Sequence, residues 1–345
     1  MKVTVASYQA VSILHGGPNT QIRNTMKYMA LHGVEVSFLD PWKPIRREES
    51  DIVHLFAANI GTYHLARELH TLGIPLVVSP ITYSNHTSTF VRSALFLGKL
   101  AGRIGTGLWS DYGVTAQICS WATKVLPNSL AEAALVRKGL GVDQSKIKVI
   151  PNGVDERFAN GDPSLFKAKY GIDKFILNVG HIGHGRKNVL SLIRALAHID
   201  HPAVIIGRII DSEYGRACVR EAASYRHILL IDGLENSSDM LASAYAACDV
   251  FVLPSMFETP GIAALEAGLA GAKIVITPYG GTREYFGGMA TYVEPRSVES
   301  IREGIVKALN LPGTPTLSDR IRREFLWPRI AESTAQIYRD VLKPT

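Results

Sequence analysis

The segment "DVFVLPSMFETPGIAALEAGLAGAKIVITPY", Asp249–Tyr279, sets a β-branched run, a Pro-Gly break, a helix-length alanine-rich stretch and a second β-branched run in succession. That is the pattern of a strand, a helix and a parallel strand. Within it, "FETPGIAALE" puts Glu258 and Glu266 eight positions apart. Capping rules set the helix start: Thr259 is a good N-cap and Pro260 a favoured first helical residue. Glu258 then lies outside the helix, and Gly261 and Ile262 offer free N–H groups. Glu266 falls inside, roughly 9 Å further along at about 1.5 Å per residue. Ala263, Ala264, Leu265, Ala267 and Leu269 surround it with small or apolar groups, which predicts a buried helix. An acid/base pair, a ligand clamp and a buried structural charge all fit this spacing.

The same alternation runs outward in both directions. Upstream, strand candidates "KVTVASY", "VEVSFLD", "DIVHLFA", "PLVVSP", "KVLPNS" and "IKVIPNG" are separated by helix-length segments such as 21–32 and 130–138. Downstream, "FILNVG", "AVIIGRI", "ILLIDG", "DVFVLPS", "KIVITPY" and "ATYVEP" repeat the scheme. The class is therefore α/β, with two Rossmann-like doubly wound domains rather than one giant sheet. The join is expected in "DERFANGDPSLFKAKYG", giving domains 1–165 and 166–325. Residues 326–345 are read as a break at Pro328 and an amphipathic helix that could pack on either domain. Ligands of such sheets sit beyond the carboxyl ends of strands, so the expected site is a central cleft lined by strand-end residues.

The 345 residues carry a formal charge of +6, with 46% hydrophobic and 20% charged residues, as in a soluble globular protein with a mild bias toward anionic ligands. Cys119, Cys218 and Cys248 lie far apart without metal-ligand spacing and read as small buried hydrophobes of a reducing compartment. No apolar run approaches the roughly 20 residues of a spanning helix, and the start has no cleavage signal. The expected address is the cytoplasm, with the inner face of the membrane as a refinement. Scattered cations without aromatic stacking runs argue against nucleic acid.

Three strand ends carry chemistry. Gly16 and Gly17 precede Pro18 and a helical run, a weak anion-site signal that a plain turn also explains. Arg186, Lys187 and Asn188 stand before the helix "VLSLIRAL". Cations there oppose the macrodipole unless an anion is bound, and a solvated basic loop is the plain alternative. Glu258 reads equally as a favourable charge near a helix start. Glu266 needs hydrogen-bonding partners and has no cation one turn away, so a hydroxyl-rich ligand would complete it. Two carboxylates with bare amides between them suit a molecule carrying hydroxyls at both ends and phosphate in the middle.

On these residues the chain resembles the retaining, family 4 glycosyltransferases of GT-B fold. The resemblance rests on the E-x7-E motif at Glu258 and Glu266, preceded by "YAACDVFVLPS" and followed by "IVITPYGGTREYF". It rests also on "KVIPNGVD", "VGHIGHGRKN" and "FLWPRIAESTAQIYRDVL". It implies that Glu266 binds the donor ribose, that Glu258 holds hydroxyls of the transferred sugar, and that Arg186 and Lys187 neutralise the diphosphate. Asn188, Thr259, Pro260, Gly261 and Ile262 would complete the donor side, Gly16 and Gly17 would approach from the first domain, and Gly233 and Leu234 would face the base. The donor would be a nucleotide-diphosphate sugar, with no cofactor and no metal, and the acceptor a carbohydrate or lipid-linked glycan. Two departures stand out: His181 replaces the usual Arg after "VG", and Pro80 replaces a usual His, with His86 as an acceptor-side candidate. The segment "FVRSALFLGKLAGRIGTGLWSDYG" reads as an interfacial segment or, because of Gly98, Gly102 and Gly105, a mobile acceptor loop, and makes peripheral membrane association a candidate property. A phosphorylase or epimerase of the same fold is the alternative, disfavoured in the first case by the missing pyridoxal-phosphate lysine signature. A non-catalytic nucleotide-sugar binder is the third reading.

Overall fold

The computed structural model describes residues 1–12, 16–82, 84, 86–103, 110–313 and 315–343. The chain separates into two compact units, Met1–Gly153 with Trp327–Thr345, and Val154–Leu326.

The first unit has five parallel strands, β1 (Lys2–Ser7), β2 (Glu35–Phe38), β3 (Ile52–Phe56), β4 (Leu76–Ser79) and β5 (Lys124–Val125), in the order β2-β1-β3-β4-β5. Around them lie α1 (Gly17–Met29), α2 (Ile60–Thr71), α3 (Ser88–Arg103), α4 (Asp111–Trp121) and α5 (Leu130–Ala134). Buried positions fill β3 and β4 completely, as expected of strands covered on both faces. The sixth expected strand, "IKVIPNG", makes only an isolated bridge, Val125 to Ile147. Ile150 N–H still donates to Pro127 O (2.9 Å), but Pro127, opposite Val149 in that register, has no N–H to return a bond and extend the ladder.

The second unit is a six-stranded sheet built from β6 (Ile176–Val179), β7 (Ala203–Ile206), β8 (Ile228–Ile231), β9 (Val250–Leu253), β10 (Lys273–Ile276) and β11 (Thr291–Tyr292). All its pairings are parallel and the order is β11-β10-β9-β6-β7-β8. Its helices are α6 (Pro163–Tyr170), α7 (Val189–Leu196), α8 (Glu213–Ala223), α9 (Asp239–Ala247), α10 (Ile262–Leu269), α11 (Thr282–Phe286), α12 (Val298–Asn310) and α13 (Thr316–Glu324). Sequential strands run outward from β6 on one side and from β9 on the other, so the strand order reverses between those two.

The second unit begins at Val154, ahead of the boundary expected at 165. Val154 N–H donates to Phe325 O (2.8 Å), and Phe158 is buried against the Tyr245 ring. The stretch read as linker holds α6, whose Asp162 cap and Pro163 first-turn position are ordinary helix-start signals. The last helix, α14 (Trp327–Leu342), belongs to the first unit. Pro328 sits in its first turn, where a missing N–H costs nothing, so it opens the helix instead of breaking it. Trp327 packs so closely on Gly153 that a Cβ there would lie 2.5 Å from the indole. Tyr338 OH meets His54 Nδ1 at 2.6 Å, His54 Nε2 meets Ser79 Oγ at 2.9 Å, and burial lowers the His54 pKa to about 3.

Candidate active site

The candidate residues of the second unit lie around the place where its sheet reverses its order. β6 and β9 pair only through Ile176–Val250 and Leu177–Phe251. Beyond that the Asn178 side chain replaces the ladder, its Nδ2 donating to Val252 O at 2.6 Å. From the diverging ends emerge two loops, 180–188 after β6 and 254–261 after β9.

The first loop rides close to the sheet. A Cβ on Gly207 would lie 1.8 Å from Gly180 O, so the ends of β6 and β7 approach this closely only with glycine at 207. Asn188 is buried in a left-handed conformation (φ 56), with Nδ2 donating to Pro254 O (3.1 Å) and Pro295 O (2.6 Å). Its amide hydrogens are thus committed to the chain's own carbonyls, and the residue shapes the loop. Met256 N–H donates to Arg186 O (2.8 Å), locking the two loops together.

Glu258 is buried beneath this junction. Its Oε1 accepts from Lys187 Nζ at 2.6 Å and from Arg186 Nη1 at 3.4 Å, while Arg186 Nη1 also donates to Phe257 O at 2.9 Å. Burial alone would raise the Glu258 pKa, but the charges of Lys187 and Arg186 and the Lys187 hydrogen bond outweigh it and hold the carboxyl below its ordinary value. The backbone of Glu258 is fixed by the turn after β10: Glu258 N–H donates to Tyr279 O (3.2 Å) and Gly281 N–H to Glu258 O (3.0 Å). Gly280 (φ 96) fits there because a Cβ would lie 2.0 Å from Glu258 O.

The helix start differs from the expected one. The Thr259–Pro260 bond is cis, Gly261 is left-handed (φ 86), and α10 begins at Ile262. A residue in that conformation cannot be helical, so Thr259 and Pro260 belong to the approach and the cap is Gly261, without a side-chain bond. Glu266 is the fifth residue of α10 and is buried.

Its surroundings correct a second expectation. Glu266 does not wait for a ligand to supply all its partners: Tyr245 OH donates to Oε2 (2.7 Å) and Asn236 Nδ2 to Oε1 (2.9 Å). Burial pushes its pKa up to about 7, moderated by those two bonds and by the charge of Arg157. The alanine setting is real on α10, but the partners come from 30 and 21 residues away in sequence. Neither Asn236 nor Tyr245 stood out beforehand. The one available signal was their place in the turn "IDGLEN" and in "YAACD", both before a strand or helix that reaches the site.

Gly233 (φ 70) and Leu234 lie in the turn that carries Asn236, which ties that turn to Glu266. Gly16 and Gly17 belong to the first unit, at the cap and first residue of α1, with Pro18 in its first turn. His86, also in the first unit, is exposed and stacks on Phe90 with centroids 4.4 Å apart. The structure thus brings Arg186, Lys187, Asn188 and Glu258 into one cluster, and Glu266, Asn236 and Tyr245 into another. Of the stretch 90–113, residues 90–103 lie in α3 through Gly98 and Gly102, a helix where glycines suggested a loop, residues 111–113 open α4, and residues 104–109 lie outside the described residues. Gly105 and the side chains of Lys99 and Arg103 lie outside the described residues. Among the described residues no group of three or more His, Cys, Asp or Glu is arranged to hold a metal ion, and no helix is long and apolar enough to cross a membrane.

Residues 165–324 match the family model for glycosyl transferases group 1, and residues 38–158 match that for Glycosyltransferase Family 4. Both matched segments are those of glycosyltransferases. An uncharacterized glycosyltransferase of Methanocaldococcus jannaschii is 29% identical over 271 residues, covering 70% of this chain and 67% of its own. The Escherichia coli UDP-Gal:alpha-D-GlcNAc-diphosphoundecaprenol alpha-1,3-galactosyltransferase is 28% identical over 263 residues, covering 71% of this chain and 62% of its own, less than two thirds. Anabaena HepE, solved in complex with UDP and glucose, superposes with a TM-score of 0.71 at 16% identity, covering 97% of this chain and 98% of that one. That likeness, with two parallel-sheet α/β units, makes the fold of this glycosyl transferase GT-B.

Proposed function

We propose that this glycosyl transferase moves a sugar from a nucleoside diphosphate to a carbohydrate or lipid-linked hydroxyl, with retention of anomeric configuration and without a metal ion. The observation that carries the reading is the Lys187–Arg186–Glu258 cluster at the reversal of strand order, with Glu266 eight residues further on. Breaking the bond between sugar C1 and the phosphate oxygen leaves its electron pair on that oxygen. Lys187 and Arg186 supply fixed positive charge for it, the task a preorganised site performs best. Glu258, ionised by the same cations, accepts hydroxyls of the transferred sugar. The acceptor oxygen bonds to C1 on the face the phosphate leaves, and its proton passes to the departing phosphate oxygen. Glu266 accepts the ribose hydroxyls, and Gly233 and Leu234 face the base.

The UDP-Gal donor and undecaprenol-linked acceptor in the name of the Escherichia coli relative support this class of substrates, as does UDP with glucose in the Anabaena structure. A membrane-side acceptor is supported by α3, which exposes Phe90, Phe96 and Leu97 beside Arg92, with exposed Arg137 and Lys138 nearby. We place the enzyme's work at the cytoplasmic face of a membrane. Co-sedimentation with anionic vesicles, lost in a Phe90→Ser/Leu97→Ser variant, tests that part; equal sedimentation of the two proteins rejects it.

A thermal-shift screen of UDP-, GDP- and dTDP-sugars tests the donor, because a ligand at 100 times its Kd stabilises by about 2.7 kcal/mol. Transfer to a lipid-linked or oligosaccharide acceptor, followed by NMR of the new anomeric centre, tests retention. Inversion, or release of sugar only to inorganic phosphate, overturns the reading.

A further inference from the structure

We propose that Asn236 and Tyr245 are positioning residues for the nucleotide: they fix both oxygens of Glu266, so that the carboxylate discriminates a ribose from a 2′-deoxyribose. The inference rests on the reading that Glu266 faces the ribose.

A carboxylate offers about four acceptor positions, two on each oxygen. In Glu266 one position on Oε2 is filled by Tyr245 OH (2.7 Å) and one on Oε1 by Asn236 Nδ2 (2.9 Å). Each oxygen keeps one position, which matches a vicinal pair of hydroxyls donating side by side. The two donors come from opposite environments. Tyr245 is wholly buried on α9, its ring edge-on to Phe158 (centroids 5.4 Å) and tilted against Phe251 (5.9 Å), so its hydroxyl has no rotational freedom to follow the carboxylate. Asn236 sits on an exposed turn, and its bond to Oε1 is partly buried while the Tyr245 bond to Oε2 is fully buried. The same turn carries Gly233 and Leu234, and Ser238 just beyond it caps α9. One short segment therefore links the base-facing turn, the ribose clamp and the helix that holds Tyr245.

Geometry and ionisation act together. The titratable groups that influence Glu266 are Tyr245 from α9 and Arg157 and Asp155 from the segment before α6. α13 presents Leu317 and Ile321 to α10 at Gly268. Removing either hydrogen-bond donor takes away a bond that favours the charged carboxylate, so the fraction ionised at neutral pH falls.

The experiment is calorimetric binding of UDP and dUDP, and of GDP and dGDP, between pH 5.5 and 9, to the wild type and to Tyr245→Phe, Asn236→Ala, Asn236→Gln and Glu266→Ala. In the wild type the ribonucleotide binds more tightly than its deoxy counterpart, and its affinity rises with pH across neutrality. In Tyr245→Phe and Asn236→Ala the ribose preference falls about tenfold, as for a lost hydrogen bond to a charged group. The rise in affinity also moves to higher pH, and Asn236→Gln recovers part of both effects. If Glu266→Ala removes ribose preference while the other variants keep it with an unshifted pH profile, Asn236 and Tyr245 are packing residues and the proposal fails. If Glu266→Ala itself binds UDP and GDP as the wild type does, the ribose reading of Glu266 fails first. Should Tyr245→Phe not fold, the exposed Asn236 pair decides the outcome alone.

Discussion

Glu258 and Glu266 are both buried, lie eight residues apart on one segment, and have pKa values shifted in opposite directions. Around Glu258 two cations and the Lys187 hydrogen bond outweigh burial and hold the carboxyl below its ordinary value. Around Glu266 the direct donors are a phenol and an amide, both neutral, and burial prevails, carrying the pKa to about 7. Burial alone therefore says little about a carboxylate's charge; the formal charge of its partners decides it. The difference suits two tasks. On the proposed reading, a permanently charged group belongs beside the cation pair, and a carboxyl that titrates near neutrality makes its hydroxyl binding depend on pH.

The comparison breaks most visibly if the cations are removed. Lys187→Met leaves Glu258 with Arg186 at 3.4 Å as its remaining cation. Breaking a buried pair in this way should destabilise the protein by about 3 kcal/mol and slow transfer by on the order of 10²–10³-fold. Urea unfolding and kcat measurements check this, and a variant as stable as the wild type refutes the pairing. The pH signature should change as well. Because the folded pKa of Glu258 is depressed, its stabilisation is present above the ordinary carboxyl value and disappears as pH falls through the depressed one. In Lys187→Met that loss should move to higher pH.

Glu266 should show the reverse sign. Its folded pKa is raised from 4.5 to about 7, so folding binds a proton and stability declines as pH climbs through that window, then levels off. The decline should total about 3 kcal/mol, and Glu266→Gln should flatten it in urea titrations at pH 5 and pH 8. A wild-type stability that rises over this range contradicts the assignment. Gly280→Ala, which forces a Cβ toward Glu258 O at φ 96, should cost about 2–3 kcal/mol and depress transfer while leaving the ribose preference intact. The smallest effect is expected from Arg186→Lys. That side chain is 44% exposed, so stability should change by less than about 1 kcal/mol. Transfer should drop about tenfold, because an ammonium cannot reproduce the planar donor geometry of a guanidinium.

Much of the architecture was legible because strands buried on both faces leave continuous β-branched runs, as in "IVHLF" and "AVII". Legibility stopped at places where partners are remote. "IKVIPNG" reads as a strand by composition, and only Pro127 on the opposing segment shows why its bridge to Val125 is not extended. Pro328 and the Asp162–Pro163 pair carried correct local signals for helix starts, but a proline reads as a break until the helix it opens is seen. The helix cap near Pro260 was placed two residues early because Thr-Pro is a sound local cap, and the left-handed Gly261 overrides it.

The amino-acid order by itself determined two α/β units with a parallel sheet in each, the glycines at strand ends, and the spacing that sets Glu258 and Glu266 on one segment. These are local properties, written in periodicity and turn chemistry. Only the tertiary structure decided the surroundings of the two carboxylates: that Lys187 reaches Glu258 across 71 positions, and that Asn236 and Tyr245 close on Glu266. The reason is that ionisation depends on which dipoles and charges lie within a few ångströms, and the reversal of strand order between β6 and β9 brings distant loops to that range.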